Sequence, residues 1–308
     1  MPENQYYPEG LCPLASYSLS ALKTAMENQT ILEGLVLCCD AEHRLHVSLG
    51  TLSGIIPREE AISPAISGSA REIALLSRVG KPVCFVVTSV TADDKGKPLL
   101  LLSRKKAQEE ALHFFLNTLK PGMVHRARVT HLESFGAFVD IGCGVISLLP
   151  IENISVSRVS HPADRLLVGQ KLPVVIAGVD PVLQRFHLTH KELLGTWLEN
   201  ASAYRVGETV RGIVRSVQPY GVFVELTPNL SGLADSHPGV AAGDYVSVFL
   251  KNIQPERMKV KLQIIEVLGR SQPAPPIRYQ ITDGQLERWV YSPAGYGKPA
   301  VETDFTNP

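Results

Sequence analysis

Two short segments hold aromatic rings at a spacing suited to binding without catalysis. Phe135-Gly136-Ala137-Phe138 and Tyr220-Gly221-Val222-Phe223 each carry two rings three residues apart around a glycine. Flat rings stack on the faces of unpaired nucleobases, and nearby positive charges track phosphates. Arg185 and Lys259 supply such charges, each at the head of an alternating apolar run, FHLTH and VKLQI. In an unbroken strand, side chains three apart face opposite ways. Gly136 and Gly221 permit a bend or bulge that returns both rings to one surface. The competing reading is structural: Phe138 and Phe223 precede Val139 and Val224 in alternating runs, so one ring of each pair would point into a core. Each base–ring stack is worth roughly 1–3 kcal/mol on substitution.

Other chemistry finds no support. His43 and His46, and His187 and His190, are three apart, but they lie in or beside expected strands without clustered Cys or acidic partners, so no metal is expected. No phosphate-binding loop, dinucleotide fingerprint or nucleophile elbow occurs. No catalytic residue and no cofactor is expected. The five cysteines are odd in number, and Cys38 adjoins Cys39. They read as reduced thiols, with Cys143 an idle thiol in a Gly-Cys-Gly turn. Ser103-Arg104-Lys105-Lys106 reads as the solvated start of a helix, or as a docking point.

The elements that position the rings follow from an internal repeat. A constant offset of 85 residues superposes Gly122 on Gly207, Val129 on Val214, Phe138-Val139-Asp140 on Phe223-Val224-Glu225, and Leu148 on Leu233. A weaker copy starts at Ile31. There Val47-Ser48-Leu49-Gly50 parallels Val139-Asp140-Ile141-Gly142, and the ring positions fall near His43 and His46. Period-two alternation, frequent Val, Ile and Phe, and regular Gly or Pro punctuation predict short antiparallel strands. About five strands fit each copy, which suggests a small Greek-key barrel of OB type. Ser103–Leu119, His190–Tyr204 and Ser20–Asn28 have helical spacing and helix-forming composition.

The expected fold is therefore mainly β, with tandem five-stranded OB-fold barrels joined by short helices and a C-terminal β-hairpin tail. The boundaries expected are an N-terminal extension (1–30), a degenerate repeat with its linking helix (31–119), a second repeat with its helix (120–203), a third repeat (204–268) and a tail (269–308). The tail opens with a Pro-rich linker, SQPAPP. RYQIT and QLERWVY then flank Asp283-Gly284, a hairpin turn signal. That hairpin would dock on the last barrel or offer an extra contact surface.

The second and third copies resemble the RNA-binding domain named for the bacterial small-subunit ribosomal protein S-one (S1). The residues that carry the likeness are Phe135-Gly136-Ala137-Phe138-Val139-Asp140, Tyr220-Gly221-Val222-Phe223-Val224-Glu225, Gly232-Leu233, Gly243-Asp244, and Asp180 ahead of Arg185. The likeness covers roughly residues 31–266. It implies a three-repeat, S1-like protein of bacterial type that binds single-stranded RNA, including mRNA, through Phe135, Phe138, Arg185, Tyr220, Phe223 and Lys259. It also implies that the first, degenerate repeat associates with the small ribosomal subunit. The other class of function is a protein–protein scaffold whose barrels have lost most RNA affinity. A nuclease is disfavoured, because 1–30 and 269–308 are too short for a catalytic domain.

Composition sets limits on these readings. The 308 residues carry 30 basic and 30 acidic side chains, so any basic surface is a local patch and salt dependence should be shallow. No apolar run approaches membrane-spanning length, and the N-terminus lacks the basic-then-apolar form of a secretory signal. A monomeric cytoplasmic protein with no membrane partner is expected.

Overall fold

The computed structural model describes residues 6–67, 72–92, 96–270 and 276–306. The Pro-rich residues 271–275 lie outside the described residues. Helix α1 (Leu19–Glu27) is capped by the Ser18 hydroxyl, which accepts from the Ala21 amide at 3.2 Å. It precedes strands β1 (Leu32–Cys39), β2 (Leu45–Ser48), β3 (Ser53–Ile56), β4 (Pro82–Ala92) and β5 (Pro98–Ser103). Helices α2 (Pro64–Ser67) and α3 (Glu72–Leu76) fall between β3 and β4. The five strands close in the order β1-β2-β3-β5-β4, with β3 and β5 parallel. Alternation sends Leu45, Val47, Leu100 and Leu102 inward, and Leu22 of α1 joins them.

Helix α4 (Arg104–Thr118) leads into β6 (Val124–Glu133), β7 (Gly136–Asp140), β8 (Ile146–Pro150), β9 (Lys171–Asp180) and β10 (Arg185–Thr189). Their order is β10-β9-β6-β7-β8, and the two edge strands β8 and β10 lie against each other. Ala107, Ala111, Leu112 and Phe115 form the apolar stripe of α4, and they are buried in the core of this second barrel. Cys84, Val86 and Ile31 of the first barrel join the same core. The helix is thus less a linker than a shared wall. Its first residue is not solvated: Arg104 is fully buried.

The stretch 190–204 is not one helix. A 3₁₀ turn (Lys191–Leu194) ends at Gly195, whose φ of +85° no β-branched residue would accept. Helix α5 (Trp197–Ala201) then starts from a Thr196/Glu199 capping box. The third barrel comprises β11 (Thr209–Gln218), β12 (Gly221–Thr227), β13 (Leu230–Ala234), β14 (Tyr245–Gln254) and β15 (Lys259–Gly269). It closes as β11-β12-β13-β15-β14.

The tail departs from the expected hairpin. Asp283-Gly284 turns, but its carbonyl side meets β6: the Val124 amide donates to the Gly284 carbonyl at 2.9 Å. The tail strands are instead β16 (Arg288–Val290) and β17 (Glu302–Asp304). Trp289 and Tyr291 pack into the third barrel, whereas Phe305 packs against Val175 and Leu193 of the second barrel and its linker. The tail straps two barrels together.

Candidate nucleic-acid interface

Phe135 precedes β7 and sits in the turn between β6 and β7, outside the strand alternation. The Ile151 amide donates to its carbonyl at 2.9 Å, which fixes that turn. Phe138 stands on the outer face of β7 between buried Ala137 and Val139. The rings of Phe135 and Phe138 are 6.0 Å apart and nearly perpendicular. Tyr220 and Phe223 repeat the arrangement at 6.2 Å. Phe135 is 53% exposed and Tyr220 69%, so neither ring is core. The bulge expected at Gly136 lies instead in the neighbouring strand, between Val129 and His131, and its counterpart between Val214 and Ser216. Gly136 serves close approach: a Cβ there would lie 2.5 Å from the Leu149 carbonyl oxygen.

The strand register places the cations. Ser216, Phe223, Leu233 and Lys261 follow one another across β11, β12, β13 and β15. Lys261 is thus next to the ring-bearing row, with Lys259 two residues upstream on the same outer face. Lys261 was missed in the sequence, although the alternation Lys259-Val260-Lys261 carried the signal. In the second barrel the row is His131, Phe138 and Leu148. The His131 ring lies 6.4 Å from Phe138 at 27°, a partner exposed by a bulge that no residue pattern announces. Arg185 is exposed at the start of β10, the strand lying against β8. Arg185, Lys259 and Lys261 form no ion pair among the described residues.

Among the described residues, the first barrel has no ring pair. His43 faces Glu72 at 3.2 Å and His46 faces Asp40 at 2.9 Å. Among the described residues no cluster of His, Cys, Asp and Glu suits a metal, and no helix is long and apolar enough to cross a membrane.

Residues 118–191, which contain Phe135, Phe138 and Arg185, match the family model of the S1 RNA binding domain. These residues form an S1-type domain. It is 35% identical over 191 residues to small ribosomal subunit protein bS1 of Leuconostoc lactis, covering 56% of this chain and 44% of that one. It is 30% identical over 260 residues to the bS1 protein of Neisseria meningitidis, covering 79% and 44%. A 4-hydroxy-3-methylbut-2-enyl diphosphate reductase of Clostridium acetobutylicum is 34% identical over 179 residues, covering 54% and 27%. The chain spans less than half the length of each of these relatives.

In this chain with its S1 domain, two buried ionic joints fix the barrels relative to one another. At the first, both Arg104 nitrogens Nε and Nη2 donate to the Glu9 carboxylate at 2.7 and 2.9 Å. The Glu9 amide donates to Asp140 at 2.7 Å, beside the Gly142 and Gly144 amides at 2.8 and 3.0 Å. Burial and the Glu9 charge push Asp140 up to about 7 against the Glu9 and Gly142 amides and the Arg104 charge. Burial acts on Glu9 in the same upward sense, but Arg104, Arg78 and the Cys84 amide together outweigh it and hold Glu9 below the usual carboxylate range. At the second joint, Arg165 of the second barrel pairs with Glu225 of the third, and Arg215 donates to the same carboxylate at 2.8 and 3.1 Å. Asn229 lies beside this joint. It accepts from the Val156 amide at 2.9 Å and donates to the Lys191 and Gly195 carbonyls at 2.8 and 2.9 Å.

Proposed function

We propose that the chain binds single-stranded RNA, mRNA included, as a non-enzymatic protein of the translation machinery. The observation that carries this reading is the pair of exposed, perpendicular ring sets held in the same position on two successive barrels. Phe135, Phe138 and Arg185 form one contact face, and Tyr220, Phe223 and Lys259 the other, with Lys261 added. Phe135 on one barrel and Tyr220 on the next leave more than half of their surface in water, and stacking on bases removes that surface from water. Linking two modest faces raises the effective concentration of the second contact. The proposed division of labour gives residues 120–203 and 204–268 to RNA. The first repeat (31–119) associates with the small ribosomal subunit, a role supported by its missing ring pair and by the name of the bS1 relatives. The described residues of the N-terminal extension (1–30) and of the tail (269–308) are the structural ties. The protein acts as a cytoplasmic, ribosome-associated monomer.

The test is fluorescence anisotropy with an unstructured pyrimidine-rich RNA of about 12 nucleotides at near-physiological salt, within the range such barrels occupy. Wild type should bind in the micromolar range or tighter, and Phe135→Ala with Tyr220→Ala should weaken it about tenfold or more. A folded wild type that binds no RNA would leave the protein scaffold as the better account.

A further inference from the structure

The two ring faces are joined by a groove that neither face accounts for. A cleft of about 910 Å³ opens between the second and third barrels, lined by Ser134, Arg158, Ser160, Arg215, Ser216 and Gln218 among others. A second cleft of about 470 Å³ shares Arg158, Arg215, Ser216 and Gln218 with it and is also lined by Phe223. The two clefts therefore adjoin along these residues, and together their linings reach from Ser134, the neighbour of Phe135, to Phe223.

The lining chemistry suits a polynucleotide backbone. Serine hydroxyls and the Gln218 amide donate and accept, as ribose 2′-hydroxyls and phosphate oxygens require. Arg158 is exposed and forms no ion pair among the described residues, so its guanidinium is available to a phosphate. Arg215, by contrast, is held by Glu225, with Asp164 at 3.9 Å. Glu152 also lines the cleft, which keeps the charge modest. The walls are preset: Arg165–Glu225 ties them at one point, and the Ser157 and Ser231 hydroxyls meet at 2.9 Å at another. A preset groove spares a bound strand the cost of ordering it.

We propose that this inter-barrel groove is itself an RNA-binding site, which carries the backbone of one continuous single strand from the Phe135 face to the Tyr220–Phe223 face, with Arg158 as its phosphate contact. The inference rests on the RNA-binding reading above and goes beyond it by making the two faces a single site with a fixed path between them.

The test compares single-stranded pyrimidine-rich RNAs of about 6 and about 24 nucleotides, the first sized for one barrel and the second for both. Wild type should bind the longer RNA at least about tenfold tighter. Arg158→Glu with Gln218→Glu, both exposed positions, should abolish most of that advantage while changing the affinity for the short RNA by less than about twofold. Arg158→Gln, which removes charge without reversing it, should give an intermediate loss for the longer RNA alone. Circular dichroism and thermal melting establish that each variant is folded. If both groove variants bind both lengths like wild type while Phe135→Ala with Tyr220→Ala loses both, the groove proposal is wrong, the RNA-binding reading stands, and the cleft is open to a peptide. If the groove variants lose short and long RNA equally, the path is also wrong, because the effect is then general electrostatics. If wild type binds neither length, the RNA-binding reading fails and the groove proposal fails with it.

Discussion

Arg165 in the second barrel and Glu225 in the third form a bidentate pair with side chains only 4% and 3% exposed. Glu225 stands at the repeat position of Asp140, and Asp140 performs the parallel task at the junction of the first two barrels, where it receives the Glu9 amide. The acidic residue that closes each ring-bearing segment is thus the residue that docks the preceding part of the chain. This places a structural joint two residues from each outward ring, so the relative position of the ring faces is set at the same strands that carry them.

Removing one member of a buried pair leaves the other charged and unpaired, which costs roughly 3–5 kcal/mol. Glu225→Gln should cost about that much, because it strands both Arg165 and Arg215. The exposed pair Lys251–Asp235, at 3.3 Å with side chains 41% and 87% exposed, makes the control. Asp235→Asn should cost under about 1 kcal/mol. Urea unfolding of the full chain measures both. Similar losses for the two variants would contradict the joint.

The row Phe223, Leu233, Lys261 predicts that Lys261 contributes to RNA binding on a par with Lys259. Each Lys→Ala variant should lower affinity and make the salt dependence shallower by about 0.7 in log–log slope, as one fewer counterion-releasing contact on a single strand requires. Titrations over a range of salt concentrations read this directly. An unchanged slope for Lys261→Ala would remove it from the interface.

The offset of 85 residues made the barrels and the ring pairs legible, because period-two alternation and glycine punctuation are local properties. Residues whose role depends on a distant partner were not legible. Arg104 reads as solvated until Glu9, far off in sequence, is known to receive it. Lys261 needed the parallel pairing of β13 with β15 to be placed in the row of Phe223, one strand beyond Leu233. The bulges at His131 and Ser216 follow from ladder geometry, and no residue there marks them. The tail misled for a related reason. Asp-Gly turns are local, but which strand they serve is decided by tertiary partners, here the start of β6.

Asn229 is fully buried at the turn between β12 and β13 and serves three backbone groups, from the 156 loop and from the linker after β10. Asn229→Ala would orphan the Val156 amide and two carbonyls in the interior. Each unsatisfied buried group costs about 1–3 kcal/mol, so a loss of at least about 2 kcal/mol is expected. Asn229→Asp should fail as well, since a carboxylate cannot donate to the Lys191 and Gly195 carbonyls. Denaturant midpoints of both variants check this. Retention of wild-type stability by the Asp variant would overturn the hydrogen-bond assignment.

His190 provides the pH dependence. It is fully buried, with Nδ1 2.7 Å from the Ile154 carbonyl and Nε2 3.2 Å from the Tyr279 hydroxyl. A carbonyl only accepts, so Nδ1 carries the proton and Nε2 accepts from Tyr279: the ring is neutral. Burial lowers its pKa from 6.5 to about 4. The unfolded chain therefore takes up a proton first as the pH falls. The stability due to neutral His190 is complete above about pH 6.5 and is lost progressively toward about pH 4, at roughly 1.4 kcal/mol per pH unit within that window. His190→Gln keeps a donor for Ile154 and an acceptor for Tyr279 but does not titrate. The difference in stability between wild type and variant should thus shrink or reverse between about pH 7.5 and pH 4.5, in favour of Gln at low pH. Thermal melts of both proteins across that range measure it. Parallel curves would mean that His190 titrates alike in the folded and unfolded chain, and that its contact with the tail through Tyr279 does not depend on charge.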